Sequence, residues 1–419
     1  MYLGCLHFMS RLPDLPPSPS RRNFLGATTA LAAVALNPRL SAATPAEPKP
    51  AAPLKSGALA IELGVHRVVN RDAIREPSLL KLRSGDLLLT YHAQGDLVFS
   101  ERKGMRSSDG GRTWRAEPRR GHREQAIGEG AGGVVLAFDI YTFERSPGEF
   151  VGSCYKSTDG GKTFSGPLET VVRVNRIASI AFPTPEHFPP DDHPLLKFYQ
   201  PLPPYYEPIV EKASRRQGPV FWRNVIERNG RWLTAMQCRF HSDVGFRTIL
   251  VESTDAGKTW TFVNTIAFRH GEPGDGFCEP ALMWVPDGSL LCVLRRGGRL
   301  PLAQCRSVDQ GRSWSRPELL PGHGVDPDLC LMANGVLACT FGRPGLHIMF
   351  SLDGCGRKWG DLTQIGDWRS STYMGMAEIA RDELLVVYDR NDTPLGHEAD
   401  LKISYLGSTT VTVTRAVAR

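Results

Sequence analysis

A chain of 419 residues with 41% hydrophobic residues can bury a large core, and its length exceeds that of a usual single domain unless the chain repeats. The formal charge is only +6, and three units of it come from the first 43 residues, so neither a nucleic-acid surface nor an anionic-membrane surface is implied. Nine Cys occur without a Cys-x-x-Cys spacing, and His66, His92, His241 and His347 have no metal-ligand spacing. These four read as structural, with no metal and no cofactor called for.

The N-terminus has a layout of its own. Ser20-Arg21-Arg22-Asn23-Phe24-Leu25 precedes an apolar run of small residues, Gly26–Leu36, and then Ser41-Ala42-Ala43. This is similar to a twin-arginine export signal over residues 1–43, followed by a Pro-rich spacer over 44–56. The apolar run is too short to span a bilayer, and no other segment approaches that length. The expected location is periplasmic or extracellular.

From there the chain repeats. Short apolar runs alternate with turn signals at Arg83-Ser84-Gly85-Asp86, Asn229-Gly230, Pro286-Asp287-Gly288 and Asn334-Gly335. Each repeat reads as a four-stranded antiparallel meander, a unit that must stack against copies of itself. Its last turn recurs as Ser107–Trp114, Ser157–Phe164, Ser253–Trp260, Ser307–Trp314 and, with one extra residue, Ser351–Trp359. Each has an Asp that can accept bonds from backbone amides, a Gly for positive φ and an aromatic to pack between sheets. Five such turns in register predict an all-β, six-bladed β-propeller over residues 57–413. Ile61–Val69 is expected to close the ring by pairing with the last blade, which removes exposed edges. Blade two, around Gly133–Phe164, is irregular. A Pro-rich insertion at 183–218 separates the second box from the third, with a seventh blade there as the alternative. Gly128–Gly133 matches Gly-x-Gly-x-x-Gly, but a β-rich run follows instead of a helix, so a pyrophosphate site is not expected.

Topology selects the chemical face. In an up-and-down blade the boxes are third turns and mark one face. The start of each first strand and the end of each second strand lie on the other, near the axis. Arg75, Asp96, Glu279, Arg295, Arg343 and Tyr373 fall there: three guanidinia, two carboxylates and one phenol. Three Arg suit a carboxylate held by forked bonds.

The boxes and these residues together resemble the bacterial sialidase (neuraminidase) family, whose repeats are known as BNR repeats or Asp boxes, over Ile61 to about Val413. Arg75-Glu76-Pro77-Ser78-Leu79 resembles the motif bearing the first arginine of the family's triad, with Glu76 in place of the usual Ile. Glu279 and Arg295 resemble the glutamate and second arginine. Phe341-Gly342-Arg343-Pro344 resembles the third, and Tyr373 the nucleophile. The resemblance implies a retaining glycoside hydrolase that releases a terminal sialic acid or related anionic sugar. Tyr373 would attack with Glu279 as its base, Asp96 would be the acid/base, with Asp72 and Asp86 nearby as alternatives, and Arg75, Arg295 and Arg343 would clamp the carboxylate. Two other readings stay open: a propeller enzyme for a different anionic sugar, and a non-catalytic glycan-binding propeller. The expected partner in each case is a glycan.

Overall fold

The computed structural model describes residues 56–71, 75–92, 102–117, 124–181, 216–297, 300–367, 372–391 and 404–416. The leader, most of the spacer, Asp72, Asp96 and the bulk of the Pro-rich insertion, with Asp191-Asp192-His193, lie outside these residues. Within them the chain is almost entirely β-strand, with one short 3-10 turn at Ala131–Gly133 and no helix long and apolar enough to cross a membrane.

The strands fall into six meanders. The first runs Arg75–Lys81, Leu87–His92, Arg102–Ser107 and Arg115–Glu117. The second runs Glu124–Glu129, Val135–Asp139, Glu149–Ser157 and Ser165–Arg173, with an added strand Tyr141–Ser146. The third is Arg216–Arg228, Arg231–Cys238, Arg247–Ser253 and Thr259–Ala267. The fourth is Cys278–Trp284, Leu290–Arg295, Pro301–Ser307 and Glu318–His323. The fifth is Val325–Leu331, Leu337–Gly342, Leu346–Ser351 and Gly360–Gly366. The sixth is Met374–Ala380, Glu383–Asn391 and Ser404–Arg415.

Among the described residues the sixth meander has no fourth strand of its own. Leu59–Leu63 supplies it by pairing antiparallel with Ser404–Arg415, and Arg67–Asn70 extends the same edge. That is the closing pairing expected of Ile61–Val69. The first strands of successive meanders pack against one another in cyclic order, the sixth against the first. The chain is a β-propeller. Apolar side chains fill the seams between sheets. Phe138, Phe221 and Trp260 meet between the second and third meanders, with ring centroids 4.7–5.9 Å apart.

The irregular second meander has a specific cause. Tyr141–Ser146 pairs both with Glu149–Ser157 and with Arg216–Arg228, which fuses the second and third meanders into one ten-stranded sheet. Gly128 sits where a Cβ would lie 1.7 Å from the carbonyl oxygen of Val225. The Gly-x-Gly-x-x-Gly match is thus a place where two backbones touch.

The Asp-box turns are built from their own side chains. In the first, Ser107 Oγ accepts from the Gly111 amide at 2.8 Å and donates to Asp109 Oδ1 at 2.8 Å. Asp109 Oδ1 accepts the Thr113 amide at 2.9 Å, and the Trp114 indole donates to the Gly111 carbonyl at 3.1 Å. The Ser–Asp–Gly pattern recurs in the other boxes. The extra residue in the fifth box, Ser351–Trp359, redirects the Trp359 indole to Gln304 Oε1 at 2.9 Å. Gly111 has φ +83, and a Cβ there would lie 2.4 Å from Leu385 of the sixth meander, so the turn needs Gly for conformation and for space.

Trp260 is fully buried at the fused seam. Trp260→Ala should destabilise the propeller by about 3–5 kcal/mol, read as a lowered denaturant midpoint. A loss below about 1 kcal/mol would mean that this seam does not hold the two meanders together.

Candidate functional site

The first strand of most meanders begins with a β-bulge. Register shifts occur between Arg75 and Ser78, Phe221 and Val225, Cys278 and Ala281, and Val325 and Asp328. In each, one non-glycine residue adopts positive φ: Glu76 (51°), Arg223 (49°), Glu279 (44°) and Asp326 (52°). Thr372, just before the first strand of the sixth meander, does the same at 58°. All five are buried. A left-handed conformation for such residues costs about 1–3 kcal/mol each and persists only where the surroundings enforce it.

The enforcement is visible in where the bulged amides go. Removed from the strand ladder, each must find another acceptor. The Glu279 amide donates to Gln237 Oε1 of the third meander at 2.9 Å. The Asp326 amide donates to Glu279 Oε2 of the fourth at 2.8 Å. Asp389 of the sixth accepts both the Thr372 amide, at 2.8 Å, and the Glu76 amide of the first, at 3.3 Å. Neighbouring meanders are thus joined by captured amides.

Glu279 is the hub. Its Oε1 accepts the Tyr373 hydroxyl at 3.0 Å and Arg295 Nη1 at 2.6 Å. Arg295 also reaches Asp275 Oδ2 at 2.9 Å, so one guanidinium bridges two buried carboxylates. Asp275 stands on the link between the third and fourth meanders. That link is pressed close by glycine: a Cβ on Gly297 would lie 2.5 Å from both the amide and Oδ2 of Asp275. Arg296 secures the same link through Glu272, at 2.6 Å. Arg343 is half-buried, and its guanidinium carbon lies 5.7 Å from the centroid of the Tyr373 ring.

Arg223 crosses from the third meander to the fifth. Its Nε donates to Asp326 Oδ1 at 2.9 Å, its Nη2 bonds Oδ2, and Trp222 Nε1 adds a donor at 3.0 Å. Its Nη1 lies 3.8 Å from Asp328 Oδ2, which also accepts the Met376 amide of the sixth meander at 2.9 Å. The Asp326 pKa is raised overall, first by burial and then by the charge of Glu279, against the pull of Arg223. With N–H donors on both oxygens, the carboxylate is the form that fits. The Tyr373 pKa is raised well above its usual value, first by burial and then by the negative charge of Glu279, against the pull of Arg343 and Arg295. The resting phenol is neutral.

Of the six residues singled out from sequence, Glu279, Arg295, Arg343 and Tyr373 meet here. Arg75 opens the first strand of the first meander, with its side chain outside the described residues, as is all of Asp96. Arg295 is occupied by two carboxylates. Sequence reasoning missed Arg223, Gln237, Asp275, Asp326 and Asp389. One signal was available: an acidic residue followed by Pro recurs at Glu76-Pro77, Glu279-Pro280 and Asp326-Pro327, each time at a first-strand bulge.

Arg295→Met would leave Asp275 and Glu279 buried without their shared cation. It should cost about 3–5 kcal/mol in chemical denaturation. A change within about 0.5 kcal/mol would mean that the bridge carries no stability.

Residues 211–380 match the model of the BNR repeat-like domain. Among curated protein sequences none matches the chain. Solved structures with the same fold include a protein of unknown function from Dyadobacter fermentans, 17% identical, with TM-score 0.62, covering 84% of this chain and 99% of that one. A Hadza microbial sialidase is 15% identical, with TM-score 0.57, covering 84% and 68%. The Penicillium chrysogenum alpha-L-arabinanase complexed with arabinobiose is 13% identical, with TM-score 0.55, covering 84% and 98%. Residues 211–380 are therefore similar to the BNR repeat-like domain, and the chain shares its β-propeller fold with these proteins.

Proposed function

We propose that this protein is an exported glycoside hydrolase that cleaves a terminal sugar with retention of configuration, using Tyr373 as nucleophile. The observation that carries the reading is the buried Tyr373 hydroxyl 3.0 Å from Glu279 Oε1. A neutral phenol can approach an anomeric carbon that bears a carboxylate, where a carboxylate nucleophile would be repelled; sialidases use Tyr for this chemistry. As the phenol oxygen attacks, its proton passes to Glu279. Arg343 beside the ring, and Arg295 on the shared oxygen, offset the negative charge that develops there. Asp96 would protonate the leaving oxygen and later deprotonate the attacking water. Arg75 and Arg343 would hold the carboxylate of a sialic acid or related anionic sugar. The likeness in fold to a sialidase supports this reading, and the likeness to an arabinanase supports glycoside cleavage without the anionic sugar.

A second reading of the substrate rests on charge. Arg295 and Arg223 are already matched by Asp275, Glu279, Asp326 and Asp328, and Glu76 is buried in the corresponding bulge of the first meander. A mouth this rich in carboxylates suits a neutral or differently charged sugar. The leader supports export by the twin-arginine route: Arg21→Lys with Arg22→Lys should retain the protein in the cytoplasm, and unchanged export would remove that part of the proposal.

One panel separates the readings. The purified protein should be incubated with fluorogenic sialoside, uronide, arabinofuranoside and neutral hexosides. Turnover of the sialoside alone supports the anionic-sugar reading, and turnover of a neutral glycoside supports the second. Whichever substrate is cleaved, Tyr373→Phe should lower kcat by about 10³-fold or more while the fold survives. Full activity in that variant would dismiss Tyr373 as nucleophile. Binding without turnover of any substrate would identify a glycan-binding propeller instead.

A further inference from the structure

Glu279 must present one oxygen to Tyr373 in a fixed direction, and it is held from two sides. On Oε1 the clamp is Arg295, itself tied to Asp275. On Oε2 it is the amide of Asp326, which can point there only because residue 326 is bulged and left-handed. That conformation needs its own restraint. The chain supplies it from across the axis, in the forked bond of Arg223 to both oxygens of Asp326 and the added bond from Trp222.

We propose that Arg223 and Asp326 form a positioning pair for Glu279, in which the ion pair locks the bulge and so aims the Asp326 amide at Glu279 Oε2. The proposal rests on the reading of Glu279 as the base for Tyr373. Three features point to placement and not to stability alone. Burying two charges costs several kcal/mol per ion, and apolar residues of similar volume often hold a fold as well. Arg223 is itself bulged, at φ 49°, so the chain accepts strain at both ends of the pair to bring them together. The path from Arg223 to the shared proton also contains no loose joint: guanidinium, carboxylate, backbone of the same residue, Glu279, Tyr373 hydroxyl. A displacement of about 1 Å at a reacting group can cost about 10²-fold in rate.

The test is the double variant Arg223→Met with Asp326→Asn. It removes both charges of the pair, so neither strands the other; Asp328 loses a cation 3.8 Å away but keeps the Met376 amide as donor, and Asn accepts positive φ while its amide remains. Arg223→Lys serves as the conservative comparison, since an ammonium keeps the charge but lacks the fork. The expected double variant is folded, with kcat lowered about 10–100-fold and KM within about twofold. Arg223→Lys should fall between it and the native protein. Its crystal structure should show Glu279 turned away, with Oε1 beyond about 3.5 Å from the Tyr373 hydroxyl. Native kcat in the folded double variant would overturn the proposal. So would equal losses in kcat and stability without movement of Glu279, which would mark the pair as a structural rivet. If the native protein cleaves nothing in the panel, the functional reading fails separately. The crystal structure then decides the positioning claim alone, and an unmoved Glu279 overturns it. If the double variant does not fold, Asp326→Asn by itself provides the same two readouts.

Discussion

The constraint on which the rest of this protein depends is the bulged amide at the start of the innermost strands. A bulge takes one N–H out of the ladder, and a buried N–H must be bonded. Here the acceptor comes from a neighbouring meander: Gln237 for Glu279, Glu279 for Asp326, Asp389 for Glu76. Such a bond contributes about 0.5–1.5 kcal/mol to the neutral Gln237 oxygen and about 1.5–3 kcal/mol to a carboxylate, comparable with the cost of the left-handed residue that releases the amide. The arrangement is therefore close to neutral for stability. What it adds is registration. The first strands of the first, fourth and fifth meanders are each set against a neighbouring meander by a directional bond, where apolar packing alone would allow sliding.

The same geometry places charge at the axis. A bulge turns one residue out of the strand's alternation, and at four positions that residue is Glu, Arg or Asp. Unpaired, these groups could not be buried. They are buried because opposite charges reach them: Arg223 comes from the third meander to Asp326 on the fifth, and within the fourth Arg295 reaches Glu279 and also Asp275 on the link before it. Glu279 alone touches the fourth, fifth and sixth meanders through Arg295, Asp326 and Tyr373. The cross-axis polar network and the candidate site are one structure. A glycan entering this mouth would meet side chains whose directions are already set, with less conformational freedom to lose on binding.

Much of this was legible in the residues. The Asp boxes identified the fold because a Ser-x-Asp-x-Gly turn encodes its own hydrogen bonds within a few residues. Asn229-Gly230 and Asn334-Gly335 did the same for tight hairpins. Glu279 and Tyr373, 94 residues apart, came within reach of one another through topology, since both open a first strand. Asp326 was overlooked because Pro327 beside it reads as a loop, whereas the strand begins at Val325 and the Pro sits inside the bulge. Arg223 was hidden in an apolar run that looks like an ordinary inner strand. Arg295 looked like an open anion clamp because sequence shows a cation without its partners, and Asp275 lies on a link with no pattern to draw attention to it.

The sequence by itself determined the class of fold, the closing strand and the face on which the polar residues gather. Those features follow from local turn chemistry and from a repeat of fixed direction, both written in consecutive residues. Only the tertiary structure decided which charges are spent on one another and which can meet a substrate. Pairing of Arg223 with Asp326 joins residues 103 apart, and the bonds of Glu279 reach to Gln237, Asp326 and Tyr373. A bond between such residues depends on how the meanders are rotated about a common axis, and no periodicity within one meander records that angle.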